Sequence, residues 1–161
     1  MLELKQYIPS MQKSIESFFS ICFPKLGWDY KPEGRHSDIV HIDEVYMRCG
    51  MFWCLFDYDD LIGTVAIYSL DESNKVAEMK RLYLFPEYQG KGIGGLLFKT
   101  ALDWAKTSKF QILRLDTRQD SFATRHLVEK HRFRRIEQYN KNAFAELFYE
   151  LNLDKYNLEE S

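Results

Sequence analysis

The sequence predicts an α/β (α+β) layered domain, a mixed and mostly antiparallel sheet flanked by helices. Three observations carry that expectation. Residues 51–70 are two β-favourable runs around DYDD, a hairpin by composition and turn chemistry. Residues 76–116 run strand, amphipathic helix, strand, which is one βαβ unit. In residues 145–153, Ala145, Leu147, Tyr149, Leu151 and Leu153 alternate with more polar neighbours, as a half-buried antiparallel strand does.

Taken in order, Leu2 to Ile8 reads as a strand, and Ser10 offers an N-cap before a helix from Met11 to Phe23. There Ile15, Phe18, Phe19 and Cys22 fall at helical spacing, and Pro24 and Gly27 end the pattern. Asp38 is placed to cap a second short helix bearing Ile39, Ile42 and Tyr46, which stops near Gly50. Met51 to Phe56 and Leu61 to Leu70 form the hairpin, and DESNK leads to a third strand from Val76 to Leu84. A helix from Gly92 to Lys106 follows, with Ile93, Leu96, Leu97, Ala101, Trp104 and Ala105 on one stripe. Ile112 to Asp116 is the next strand and Asp120 to His131 the next helix; Phe133 to Tyr139, an Asn-Lys-Asn turn and Ala145 to Leu153 close the chain.

With 161 residues and no repeat or Pro/Gly-rich linker, one domain over residues 1–161 is expected. Hydrophobic residues at 45% and charged ones at 29% are ordinary for a soluble globular protein. A net charge of −2 argues against nucleic-acid binding by bulk electrostatics. No apolar run approaches the roughly 20 residues of a membrane span. MLELKQYIPS lacks the apolar core of an export signal, so a cytoplasmic location is expected. Cys22, Cys49 and Cys54 fit neither a disulfide framework nor a zinc site and are expected as buried free thiols. The His36/His41 and His126/His131 pairs do not match H-E-x-x-H, so no metal is expected.

The informative stretch is PEYQGKGIGG, residues 86–95. A glycine-rich turn opening a helix presents backbone N–H groups at a positive helix end, which suits phosphate. Gly90, Gly92 and Gly95 spell G-x-G-x-x-G, with Asp116 where a dinucleotide fingerprint would place its ribose partner. Yet Phe85 to Gln89 separate the strand from the first glycine, too long for the tight Rossmann turn, and the chain ends antiparallel instead of adding βα units. A Walker loop fails because no Lys-Ser or Lys-Thr ends the motif.

Gln89-x-x-Gly92-x-Gly94 matches [QR]-x-x-G-x-[GA], and AEMKRLYLFPEYQGKGIGGLLFKTALDWAK around it resembles the central strand, loop and helix of the GNAT superfamily of acyl-CoA-dependent N-acyltransferases. ILRLDT, LVEKHRF and FAELFYELNL resemble the elements that follow, so the likeness covers residues 51–153 and reaches the first fifty by element order alone. It implies a sheet whose two parallel strands splay into a V, and transfer of an acetyl group from acetyl-CoA, as co-substrate, to a primary amine of a small molecule or peptide by direct attack. It also implies an enzyme that requires no metal, and family members often pair as homodimers.

By the same resemblance, the backbone of Gln89, Gly90, Lys91, Gly92, Ile93 and Gly94 holds the CoA pyrophosphate, and Leu82, Tyr83 and Leu84 pair with the pantetheine arm. The Leu84 N–H is the oxyanion donor and Glu78 the candidate base. Ser121, or Asp120, falls near the family's pantetheine-contacting asparagine, although either reads equally as a helix cap. Arg118, Arg125, Lys130, Arg132, Arg134 and Arg135 are a solvated basic run or partners of the 3′-phosphate. Trp53, Tyr68, Tyr83 and Tyr139 are candidate walls of an amine pocket. The sequence departs from the family at the general acid. Val128 stands where a tyrosine is usual and Arg132 where glycine is, with Tyr139, Tyr83 and His126 as conceivable substitutes. That departure keeps open an alternative, a non-catalytic acyl-CoA sensor.

Overall fold

The computed structural model describes residues 1–156. Seven strands form one sheet: β1 (Leu2–Gln6), β2 (Met51–Asp57), β3 (Asp60–Asp71), β4 (Val76–Leu84), β5 (Ile112–Thr117), β6 (Arg134–Ile136) and β7 (Leu147–Asn152). Their spatial order is β1-β2-β3-β4-β5-β7-β6, and among the described residues only β4 and β5 run parallel. The helices are α1 (Gln12–Lys25), α2 (Ser37–Val40), α3 (Ile42–Val45), α4 (Ile93–Thr107) and α5 (Phe122–Lys130). This is the mixed, mostly antiparallel α/β architecture that the hydrophobic periodicities predict.

Each sheet face buries its own core. α4 and α5 cover Leu55, Val65, Ile67, Ala77, Met79 and Leu113 with Leu97, Phe98, Ala101 and Val128. On the opposite face α1 lays Ile15, Phe18, Phe19, Cys22 and Phe23 against Phe52, Cys54 and Ala66, joined by Ile39, Ile42 and Tyr46. The stripe of α4 is turned from the expected one: Leu96 is 46% exposed, while Phe98 and Leu102 are fully buried.

The helix ends depart from expectation in three places. Ser10 lies in a 3-10 turn (Pro9–Met11), and α1 starts after it with no side-chain cap. Pro24 stays inside the last turn of α1, and Gly27, at φ +82°, closes the helix instead. Asp38 is also no cap; it sits within α2 and points to β4.

The C-terminus of α5 ends on Arg132 at φ +64°, the left-handed position that glycine usually fills. Phe133 N–H donates to Val128 O at 2.9 Å and Arg132 N–H to Glu129 O at 3.1 Å, closing the turn. A side chain there costs about 1 kcal/mol. Arg132→Gly is therefore expected to raise the thermal midpoint by about 2–4 °C, read by calorimetry.

Two irregularities shape the centre of the sheet. Val76, Ala77 and Glu78 pair with Ile112, Leu113 and Arg114, and the parallel ladder stops there. β4 then continues to Leu84 while β5 turns toward β7, so the two strands splay. The second is a bulge, with Thr64 opposite Tyr83 and Ala66 opposite Lys80, which leaves Arg81 and Leu82 facing one residue of β3. Arg81 takes φ +56°, and Thr64 Oγ1 donates to its carbonyl at 2.7 Å. The extra residue inverts the alternation: Ala77 and Met79 face α4 before the bulge, Leu82 and Leu84 after it.

Candidate functional site

The splayed strands leave a V-shaped slot with Glu78 at its apex. Beyond Glu78, no strand among the described residues covers the β5-facing edge of β4. Phe85 N–H donates to Ile62 O at 3.0 Å on the β3 side, so backbone alternation turns the Leu84 N–H toward the slot. The Leu84 carbonyl on that edge accepts from Gln89 Nε2 at 3.1 Å, which ties the glycine loop to the strand end.

After a 3-10 turn (Pro86–Tyr88), the loop enters α4 through Gly92. Gly90 and Gly92 hold φ +78° and +81°, a region where a Cβ is strained. A Cβ built on Gly90, Gly92 or Gly94 meets nothing within 4 Å, so all three border open space. The first N–H groups of α4, on Ile93, Gly94 and Gly95, have no partner inside the helix and point out of its positive end. This cradle fits a pyrophosphate. Lys91 Nζ stands beside it, 5.8 Å from the centre of the Tyr88 ring.

Glu78 is 4% exposed and on the face opposite Ala77 and Met79. Its Oε2 accepts from Tyr139 Oη at 2.5 Å and from Asn140 Nδ2 at 3.0 Å, and its Oε1 lies 3.8 Å from Lys80 Nζ. Asn140 Nδ2 also donates to Asp116 Oδ2 at 2.6 Å, and Asn142 Nδ2 to Asp116 Oδ1 at 3.3 Å. One amide nitrogen thus bridges two carboxylates on the two walls of the V. Burial, then the charge and hydrogen bond of Glu78, push the Tyr139 hydroxyl well above its ordinary pKa, so it stays protonated and donates. Arg114 stacks at 5.3 Å from the Tyr139 ring and Phe148 meets it edge-on at 5.7 Å, which fixes the phenol.

The other flank comes from the connection between α1 and α2. Asp38 receives Arg81 Nε at 2.9 Å and Nη2 at 2.7 Å, with Tyr46 Oη at 2.5 Å. Burial alone would raise the Asp38 carboxyl, but the Arg81 hydrogen bonds and charge, aided by Tyr46, hold it below the ordinary value. The clamp moors α2 to the bulge. Around it, Phe19, Phe23 and Trp28 meet Tyr83 edge-on at 5.7, 4.9 and 5.8 Å. His36 stacks on Tyr30 and accepts Lys31 N–H at Nδ1 at 2.8 Å. Burial, then Arg81 and Arg35, hold His36 down to about 4. Its folded pKa lies below its unfolded value of about 6.5, so below that pH the unfolded chain takes up a proton that the folded one refuses. Stability is expected to fall from pH 6.5 toward 4, with a shallower slope in His36→Gln, measured by urea unfolding at pH 7 and 5.

Several expected residues land elsewhere. Trp53 is 3% exposed in the core beneath α4, touching Trp104, and cannot wall an amine pocket. Tyr68 faces Lys80, whose Nζ is 5.5 Å above its ring. Val128 is fully buried in the α4-side core. Ser121 occupies the N-cap position of α5 without capping any N–H through its side chain. The basic run is largely committed: Arg118 pairs with Asp120 at 3.2 Å and Arg134 with Glu150 at 2.6 Å. Arg125 donates from Nη1 to Gln119 O at 2.9 Å, while its Nε is buried without a hydrogen-bond partner among the described residues. Cys22 and Cys54 are buried, with thiols pushed up to about 12 by burial, but Cys49 is exposed and donates to Glu72 Oε1. Asp116 proves to be more than a strand end, and Asn140 and Asn142 more than a turn. The only sequence signal for them was a polar Asn-Lys-Asn cluster, which turn chemistry alone accounts for. Among the described residues, no helix is long and apolar enough to cross a membrane, and no group of three or more His, Cys, Asp or Glu could hold a metal.

A model of the acetyltransferase (GNAT) family matches residues 12–133. The N-acetylaspartate synthetase of Danio rerio is 26% identical over 134 residues, 77% of this chain and 47% of that protein, so the chain spans about half the length of this relative. An acetyltransferase of the GNAT family from Staphylococcus aureus superposes with a TM-score of 0.83 at 20% identity, covering 95% of this chain and 99% of the other. The yncA protein of Salmonella typhimurium, solved with its cofactor acetyl-CoA, superposes with a TM-score of 0.73 at 14% identity over 96% and 95% of the two chains. The two structures share the fold, and the family match takes in the slot, the glycine loop and α4: the chain belongs to the GNAT acetyltransferase family.

Proposed function

We propose that this protein is an N-acetyltransferase that moves an acetyl group from acetyl-CoA to a primary amine by direct attack in the slot between β4 and β5. The observation that carries the reading is the coincidence of the open glycine cradle with a buried, hydrogen-bonded Glu78 along one strand edge. When bound, acetyl-CoA would supply the acetyl group as an activated thioester. The N–H groups of residues 89–94 would hold its pyrophosphate, and the edge of Leu82, Tyr83 and Leu84 its pantetheine arm. Glu78 takes the proton that the amine loses as its nitrogen forms the amide bond. Tyr139 and Asn140 keep Oε2 fixed, so the carboxylate does not have to find its orientation during the reaction. The Leu84 N–H, six residues from Glu78 on the same strand and so roughly 15–20 Å away, would pair with the pantetheine arm. With Val128 sealed in the core, no side chain stands ready at the family's usual acid position; a thiolate of pKa about 8.5 makes such a donor dispensable. Relatives support a small-molecule amine: the zebrafish protein is an N-acetylaspartate synthetase.

The decisive assay follows CoA thiol release from acetyl-CoA over a panel of small amines and peptides. Release that depends on an amine, with the N-acetylated product seen by mass spectrometry, is expected. Tight acetyl-CoA binding without release on any amine would instead support a sensor, the reading that the valine at position 128 favours.

A further inference from the structure

Two charged regions lie in the segments that meet beside the slot. One is acidic: Glu78 and Asp116, joined by Asn140, with Asp116 forming no ion pair among the described residues. The other lies in the connection between α1 and α2. Arg35 there stacks on Phe144 of the β6–β7 connection, its guanidinium carbon 3.8 Å from the ring centre. These two segments also grip the centre of the site, since Arg81 Nη2 reaches the Arg35 carbonyl at 3.4 Å while Tyr139 and Asn140 hold Glu78. Arg35 thus sits where the two flanks of the slot meet.

Its chemistry is unusual for a surface arginine. Stacking occupies the face of the guanidinium and leaves its in-plane N–H fork free. Among the described residues, the side chain's only hydrogen bond is a long 3.4 Å contact from Nη2 to Asp29 O, and no carboxylate pairs with it. A cavity of about 450 Å³ opens beside it, lined by Tyr30, Lys31, Glu33 and Arg35 among others, with two cations against one anion. In the same wall the Tyr30 hydroxyl is buried without a hydrogen-bond partner among the described residues. A planar carboxylate would pair with the open edge of the Arg35 guanidinium. A second cation, such as the far end of a polyamine, would meet Arg35 and Lys31 as like charges.

We propose that the acceptor is an amino acid: its amine is directed to Glu78 and its carboxylate is bound by the fork of Arg35, held ready by Phe144. The inference rests on the acetyltransferase reading and adds the substrate class.

The test is steady-state CoA release from acetyl-CoA with L-amino acids, their α-carboxamides and spermidine, for wild type, Arg35→Ala and Arg35→Lys. At least one amino acid should exceed its own carboxamide in kcat/KM by roughly tenfold to a hundredfold, the range of a charge-assisted hydrogen-bonded pair. Arg35→Ala should raise KM for that acid and shrink its advantage over the carboxamide by a similar factor; Arg35→Lys should restore part of the loss. Arg35 is exposed, and circular dichroism should show all three proteins folded alike. Equal use of acid and carboxamide, preference for spermidine, or an unchanged KM in Arg35→Ala overturns the inference and leaves the acetyltransferase reading standing. No release with any amine overturns both.

Discussion

Glu78→Gln is expected to lower kcat by roughly 10²–10³-fold, within the range that a positioned general base contributes. The acetyl-CoA dissociation constant should stay within about twofold, because the cradle is formed by backbone 11–16 residues along the chain. The substitution is conservative in shape. A glutamine carbonyl can still accept from Tyr139 and Asn140, the donors at 2.5 and 3.0 Å, so the loop between β6 and β7 keeps its anchor. What it loses is the ability to take a proton. Rapid-quench turnover beside a calorimetric titration of acetyl-CoA separates the two effects. Unchanged turnover would remove Glu78 from the mechanism.

The second large effect is one of opposite signs. Gly94→Glu should stabilise the free protein by up to about 1 kcal/mol, since Gly94 lies in the first turn of α4 at an ordinary φ, a Cβ there meets nothing within 4 Å, and a carboxylate suits the positive helix end. The loop motif admits alanine at this position but not a carboxylate, which would project into the space where a pyrophosphate approaches the backbone, so the acetyl-CoA dissociation constant should rise more than tenfold, about 1.4 kcal/mol. Gly92, at φ +81°, cannot give this clean contrast because any side chain there is strained. Thermal melts with and without acetyl-CoA check both halves: a higher midpoint alone and a smaller ligand-induced shift. A variant that is more stable and binds as before would contradict the cradle.

Much of this was legible in the sequence because it is local. Hydrophobic periodicity located β2 to β5 and α4 closely, and the spacing of Gln89, Gly92 and Gly94 marked the loop. Glu78 stood out as a carboxylate inside an apolar strand. What escaped was set by contacts between distant segments. The partners of Glu78 lie 61 and 62 residues away, in a connection whose polar residues read as turn formers. Asp38 looked like a helix cap because that is the commonest local use of aspartate, yet Arg81, 43 residues on, claims it. The bulge at Arg81 depends on register against β3, which composition does not encode. Tyr139 and Asn140 were expected in or beside a strand running to residue 139, but β6 ends at Ile136 and the freed chain folds back over the slot.

The most direct test of the central claim is a crystal structure of this chain with CoA bound. The account predicts pyrophosphate oxygens within hydrogen-bond distance of the N–H groups of residues 89–94, roughly 2.7–3.2 Å. It also predicts the pantetheine arm along Leu82 to Leu84, with the sulfur opening toward Glu78. CoA lodged outside the V, or its sulfur at the far end of β4 from Glu78, would contradict it.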